Sequence, residues 1–164
     1  MRLKLQKFTV SEATLKEAKR RFDNFPLNKN SIRSREGGLV GYIGEALVLH
    51  LEGGEIKDTY DYDLISSEGV KIDVKTKERK VAPRGNYNCT VADFNTKQKC
   101  DRYSFVSVLD DYRTAWYLGS ISKKDFYEKA VFYKQGDLDP ESSPRYPFKF
   151  TADCYNIKVS ELER

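Results

Sequence analysis

The sequence predicts a single mixed α/β domain, and three observations predict it. Its 164 residues suit one compact domain large enough to bury a core without staples. Apolar residues recur with a helical period as far as Leu51, then with a period near two beyond Gly53-Gly54. Helix-cap signals reappear later, between segments that alternate.

Thr9 or Ser11 can cap a first helix, Thr9 with Glu12 at capping-box spacing, and Leu15, Ala18 and Phe22 then share one face. Pro26 and the polar stretch Asn28 to Ser34 end it. A second helix is expected from about Gly38 to Leu51, with Leu39, Ile43, Ala46, Leu47 and Leu51 as its apolar surface, and Gly53-Gly54 stops it. Strands are expected at Glu55 to Asp58, Tyr60 to Ser66 and, after a turn at Gly69, Val70 to Lys77. A loop holds Pro83 and Gly85, and residues near Ala92 to Cys100 suit a short helix. Tyr103 to Leu109 and Thr114 to Ser120 read as a hairpin around Asp110-Asp111-Tyr112-Arg113. Ser122 with Asp125 suggests a capped helix to about Ala130. The proline-bearing stretch Gln135 to Pro147 reads as a loop, and Phe148 to Val159 as one or two returning strands.

Composition narrows the function classes. With 39% hydrophobic and 33% charged residues the chain reads as globular rather than disordered. No apolar run approaches the roughly 20 residues of a membrane span, and Met1 to Val10 lacks an apolar signal core, so a cytoplasmic protein is expected. Cys89, Cys100 and Cys154 form no CxxC pair and stand beside one histidine, which argues against zinc and for reduced structural thiols. His50, late in an apolar helix pattern, would have to serve as the base of any Ser-His or Cys-His hydrolase, which disfavours that class. Net charge is only +4, but Arg2, Lys4, Lys7, Lys16, Lys19, Arg20, Arg21, Lys29, Arg33 and Arg35 crowd the first segment. A second basic run holds Lys71, Lys75, Lys77, Arg79, Lys80 and Arg84. Such clusters suit a phosphate backbone or, equally, a solvated charged face.

Three acidic positions carry chemistry. In Asp73-Val74-Lys75, strand alternation sends Asp73 and Lys75 to one face while Val70, Ile72, Val74 and Thr76 take the other. A carboxylate is a hard ligand for magnesium, and a neighbouring ammonium can orient a water and steady phosphoryl charge. Glu17-Ala18-Lys19 and Glu55-Ile56-Lys57 repeat the acid-x-Lys spacing without both the alternation and an apolar opposite face. One strand earlier, Asp63 can pair across to Asp73, with Asp61 the alternative if the register differs. Two such carboxylates repel unless a cation is shared; otherwise they are solvent-facing residues of a half-exposed strand. Glu45, in an apolar helix, must find a partner or face solvent.

The set Gly44-Glu45, Tyr62-Asp63-Leu64-Ile65 and Lys71-Ile72-Asp73-Val74-Lys75-Thr76-Lys77 resembles the PD-(D/E)XK nuclease superfamily, the restriction-endonuclease-like fold. The order helix with Glu, strand with Asp, strand with Asp-x-Lys, helix, strand is similar too, with Cys100 to Val106 as the last passage. The resemblance covers about residues 39–109; Tyr62 stands where the family's name has Pro, and nothing after Ser120 resembles a known pattern.

The resemblance implies a central mixed sheet flanked by helices in one nuclease domain over 1–164. Its core would span 39–109, after a basic helical segment over 1–36 and before a helix, loop and strand segment over 121–164. It implies that Asp63, Asp73 and the Val74 carbonyl ligate Mg2+, which Mn2+ can replace. Lys75 would activate water, and Glu45 would act through a second metal or an ordered water. DNA would be the substrate, cut to 5′-phosphate ends by an endonuclease of phage or homing type, in a bacterial or phage-infected cell. Cutting both strands implies a homodimer or higher homo-oligomer; no membrane and no small-molecule cofactor are expected. Lys77, Arg79, Lys80, Arg84, Arg33, Arg35 and Gln98 are the expected nucleic-acid contacts, with Asn95 and Gln98 the polar residues expected beside the cleft. A DNA-binding or assembly protein without cleavage, and a structural protein whose acids coincide by chance, are the competing readings.

Overall fold

The computed structural model describes residues 3–24 and 35–164, and Arg35 to Gly37 by backbone only. Among them run β1 (Gln6–Thr9), α1 (Glu12–Asn24), α2 (Arg35–Glu52), β2 (Glu55–Ile56), β3 (Leu64–Ile65), β4 (Lys71–Arg79), β5 (Asn88–Ala92), β6 (Arg102–Leu109), β7 (Thr114–Ser122), α3 (Lys123–Lys129), β8 (Val131–Tyr133) and β9 (Cys154–Lys158). The chain is mixed α/β, as its periodicity predicts. No helix among the described residues is long and apolar enough to cross a membrane.

Six strands form a mixed sheet in the order β1-β7-β6-β4-β3-β2, in which only β4 and β6 run parallel. A second, antiparallel sheet has the order β5-β9-β8. Strand alternation explains why the large sheet is covered on both faces. Ile72, Val74, Val106 and Val108 point to one side, where Val40, Ile43 and Val48 of α2 meet them. Tyr103, Phe105, Trp116 and Leu118 point to the other, against Val91 of β5, Ile157 of β9 and Phe126 of α3. Asp73 pairs in register with Tyr103, and Lys75 with Phe105, so both lie on this second face.

Local signals explain the helix ends. Ser11, not Thr9, caps α1: its Oγ accepts from the Thr14 N–H at 3.1 Å, while Thr9 ends β1. Gly53 ends α2 with φ of 68° and donates to the Leu49 carbonyl, the left-handed stop that glycine allows. The Ser122 Oγ accepts from the Asp125 N–H, as the cap pattern predicts.

Several expectations need correction. The buried stripe of α2 is Val40, Ile43, Gly44, Glu45 and Val48; Ala46 and Leu47 are half-buried and Leu51 is exposed. This helix packs between α1 and the sheet, so it is apolar almost all round and its pattern fixes no single face. The strands expected over 55–58 and 60–66 shrink to two residues each, because the chain turns at 59–62 through the Thr59 hydroxyl. The short helix near 92–100 is one 3-10 turn over Asp93–Asn95, and β1, β5 and β8 were not foreseen. The end of α1 near Pro26 and Asn28 to Ser34 lies outside the described residues.

Gly44 fixes how α2 approaches β4. A Cβ on it would lie 1.9 Å from the Thr76 Oγ1, closer than atoms can approach. Gly44→Ala is therefore expected to push α2 off the strand and lower stability by about 1–3 kcal/mol, read as a lower urea midpoint. An unchanged midpoint would show that Thr76 simply rotates away.

Candidate metal centre

The centre forms where β3 leaves β4. Leu64 pairs with Ile72 and Ile65 with Lys71, so one further step sets Asp63 opposite Asp73. The chain turns out of the sheet there, and the side chain takes over the ladder: Asp63 Oδ2 accepts from the Val74 N–H at 2.7 Å. The N–H and carbonyl of one strand residue point the same way, so the Val74 carbonyl faces this edge as well. Asp61, the alternative, turns elsewhere and accepts from the Lys99 N–H at 3.0 Å.

Glu45 reaches the same edge from α2 and is buried, 8% exposed, rather than facing solvent. Its carboxylate, that of Asp63 and that of Asp58 each offer an oxygen, all within 4.8 Å of one another. Asp58 follows β2 with φ of 50°, a left-handed conformation that aspartate tolerates better than most residues. On the sheet's other face, Asp73 is 3% exposed, and its Oδ2 lies 2.7 Å from Lys75 Nζ.

Among the described residues, two cations serve these four carboxylates. Arg21 of α1 places one guanidinium nitrogen 2.6 Å from Glu45 and 2.5 Å from Asp58, and its plane stands 4.3 Å from the Tyr42 ring centre. Lys75 neutralises Asp73. Asp63 stands between the two ion pairs and makes none with any described residue. Its carboxyl is held well above the usual aspartate range, by burial first and then by the charges of Asp73 and Glu45. Burial likewise pushes Glu45 up to about 7, against the pull of Arg21.

No protein-family model matches this chain, and no curated protein matches it. Glu45, Asp58 and Asp63 form an acidic group whose oxygens could hold a metal ion.

Gln98, expected beside the cleft, is buried, 6% exposed, and packs against the site residues. Its Nε2 donates to the Tyr60 carbonyl at 2.7 Å and to Asp73 Oδ1 at 3.2 Å, while its Oε1 accepts from Lys75 Nζ at 3.3 Å. One amide thus orients both members of the Asp73–Lys75 pair, the way outer partners commonly fix metal ligands. Asn95 is half-buried in the 3-10 turn, and its carbonyl accepts from the Gln98 N–H.

The expected phosphate contacts divide. Lys77, Lys80 and Arg84 are exposed, with Lys77 Nζ 5.7 Å from the Phe148 ring centre. Arg79 is half-buried: its Nε donates to Ser107 Oγ at 3.0 Å and its guanidinium covers the Tyr87 ring, so it is held rather than presented. Arg33 lies outside the described residues, as does the side chain of Arg35. Cys89, Cys100 and Cys154 are all buried free thiols, and burial raises the pKa of each.

Sequence reasoning missed Arg21 and Asp58. Arg21 was visible only as one of many basic residues, and Asp58 only as the end of a short strand. A chain separation of 37 residues hides their pairing from any local pattern.

Proposed function

We propose that this chain is a magnesium-dependent DNA endonuclease on a restriction-endonuclease-like core, with Asp63, Asp73, Glu45 and Lys75 as its catalytic set. The observation that carries the reading is Asp63, a carboxylate between two ion pairs with no cation among the described residues. Among the described residues, the four carboxylates against Arg21 and Lys75 leave a deficit of two positive charges, which one divalent ion would balance. Asp63, Asp73 and the Val74 carbonyl would hold it, and Mn2+ could replace Mg2+. When bound, the ion supplies Lewis-acid polarisation of the scissile phosphate and a lower pKa for its water.

The chain's own groups account for the remainder. Lys75, turned toward the edge by Gln98, orients the attacking water through its ammonium and steadies the charge growing on phosphorus-bound oxygen. Asp73 holds that ammonium in place. Glu45 can receive the proton that the water sheds, a role suited to a carboxyl pushed up to about 7. The exposed Lys77, Lys80 and Arg84 offer phosphate contacts beyond the centre, and cutting both strands would take two copies of the chain.

Supercoiled plasmid incubated with the protein should be nicked or linearised in Mg2+ or Mn2+ and remain intact in EDTA. Tight binding with no cutting at any metal concentration would replace the enzyme with a DNA-binding module on the same scaffold.

A further inference from the structure

Arg21 stands where a second divalent ion would have to stand. Glu45, Asp58 and Asp63 bring their oxygens within 4.8 Å of one another, and a guanidinium nitrogen fills that side at 2.6 Å from Glu45 and 2.5 Å from Asp58. The arginine is held there firmly. Its NH2 group donates to both oxygens of Asp58, its plane packs over Tyr42, and its side chain is only 13% exposed. Guanidinium is permanently charged, so it cannot vacate the position by losing a proton. A metal entering on this side would have to break the buried Arg21–Glu45 contact and the more exposed Arg21–Asp58 contact and leave a largely enclosed arginine charge unpaired, which is costly. On the Asp63–Asp73 side, Asp73 is met by the Lys75 ammonium and the Gln98 amide, and Asp63 accepts the Val74 N–H but pairs with no cation among the described residues.

We propose that Arg21 takes the place of the second cation, so that the centre works with one divalent ion. The inference rests on the metal-centre reading above and deepens it by fixing the number of ions. Arg21 is then a positioning residue. It holds Glu45 and Asp58 together and supplies, as an organic cation, the positive charge that a second metal supplies elsewhere. It also ties the catalytic edge to α1, since removal of the helix would remove the charge.

Mn2+ is the probe. Titration of the full chain, followed by calorimetry and by the loss of the free-ion signal in electron paramagnetic resonance, should give one bound Mn2+ per chain. Arg21→Ala should give two, with the second showing the dipolar broadening of ions a few ångströms apart. Arg21→Lys keeps the charge and should stay at one, and Arg21→Ala with Asp58→Asn loses a ligand of the vacated position and should return to one. Two ions on the unaltered chain, or one on a folded Arg21→Ala, would overturn the inference while leaving the metal-centre reading intact. If Arg21→Ala does not fold, the count on the unaltered chain and on Arg21→Lys still decides. No Mn2+ bound to the unaltered chain at millimolar concentration would remove the metal-centre reading itself.

Discussion

Lys75→Ala and Asp73→Asn should each lower DNA cleavage by about 10³-fold or more while leaving duplex binding within about threefold. The reason is that both residues act at one point and contribute little to the basic surface. Lys75 is largely enclosed, with its ammonium 2.7 Å from Asp73 and 3.3 Å from the Gln98 amide oxygen, so its charge is directed inward, away from the basic surface. Asp73 lies deeper and can reach DNA only through what it holds. The two variants differ in a second respect. Lys75→Ala strands a buried carboxylate without its cation, a loss on the order of 3 kcal/mol in EDTA that bound metal should partly restore. Asp73→Asn instead leaves the ammonium of the less enclosed Lys75 without its partner and should be destabilised less. Single-turnover nicking, fluorescence anisotropy on a labelled duplex in EDTA, and thermal melts with and without Mn2+ separate these effects. Unaltered cleavage by either variant would mean that the chemistry lies elsewhere in the chain.

How far the sequence reveals this centre depends on the range of each interaction. Asp73 and Lys75 were legible because strand alternation is strict, and an apolar run on the alternate positions announces which face is which. Ser122 and Asp125 were legible because a cap is a three-residue event. The sequence leaves Asp63 against Asp61 open because the two share one strand face, so a two-residue slip exchanges which of them stands opposite Asp73; the short β3 ladder and the Val74 N–H put Asp63 there. Glu45 could be noticed but not placed, since α2 is apolar on nearly every side and a glutamate there is equally consistent with solvent or a buried partner. Arg21, Asp58 and Gln98 were out of reach for a different reason. Their roles exist only once α1, the turn after β2 and the loop before β6 converge, and no periodicity encodes that convergence. The second sheet was hidden similarly: β5, β8 and β9 are short, and their pairings join segments far apart in the chain.

Asp63→Asn should make the metal-free protein more stable and at the same time inactive. Asparagine keeps an oxygen to accept the Val74 N–H but removes the charge that Asp73 and Glu45 repel. The sign follows from linkage. Asp63 and Glu45 both have folded pKa values above their ordinary ones, so the folded state holds protons that the unfolded chain has already released. Their ionisation therefore costs stability as pH rises from about 4 through the raised values, near 7 for Glu45, and the cost is constant above them. Below pH 4 the two proteins should melt alike. Near pH 8 in EDTA the variant should exceed the unaltered protein by on the order of 1–3 kcal/mol, several degrees in melting temperature. Mn2+ or Mg2+ should reverse the ranking at pH 8, because the unaltered centre binds the ion as its ligands deprotonate and the variant has lost the central one. Melts from pH 4 to pH 8, each with EDTA and with Mn2+, read the whole pattern. A difference between the two proteins that did not change with pH would mean that Asp63 is an ordinary ionised aspartate, and the need for a cation at its side would lose its physical basis.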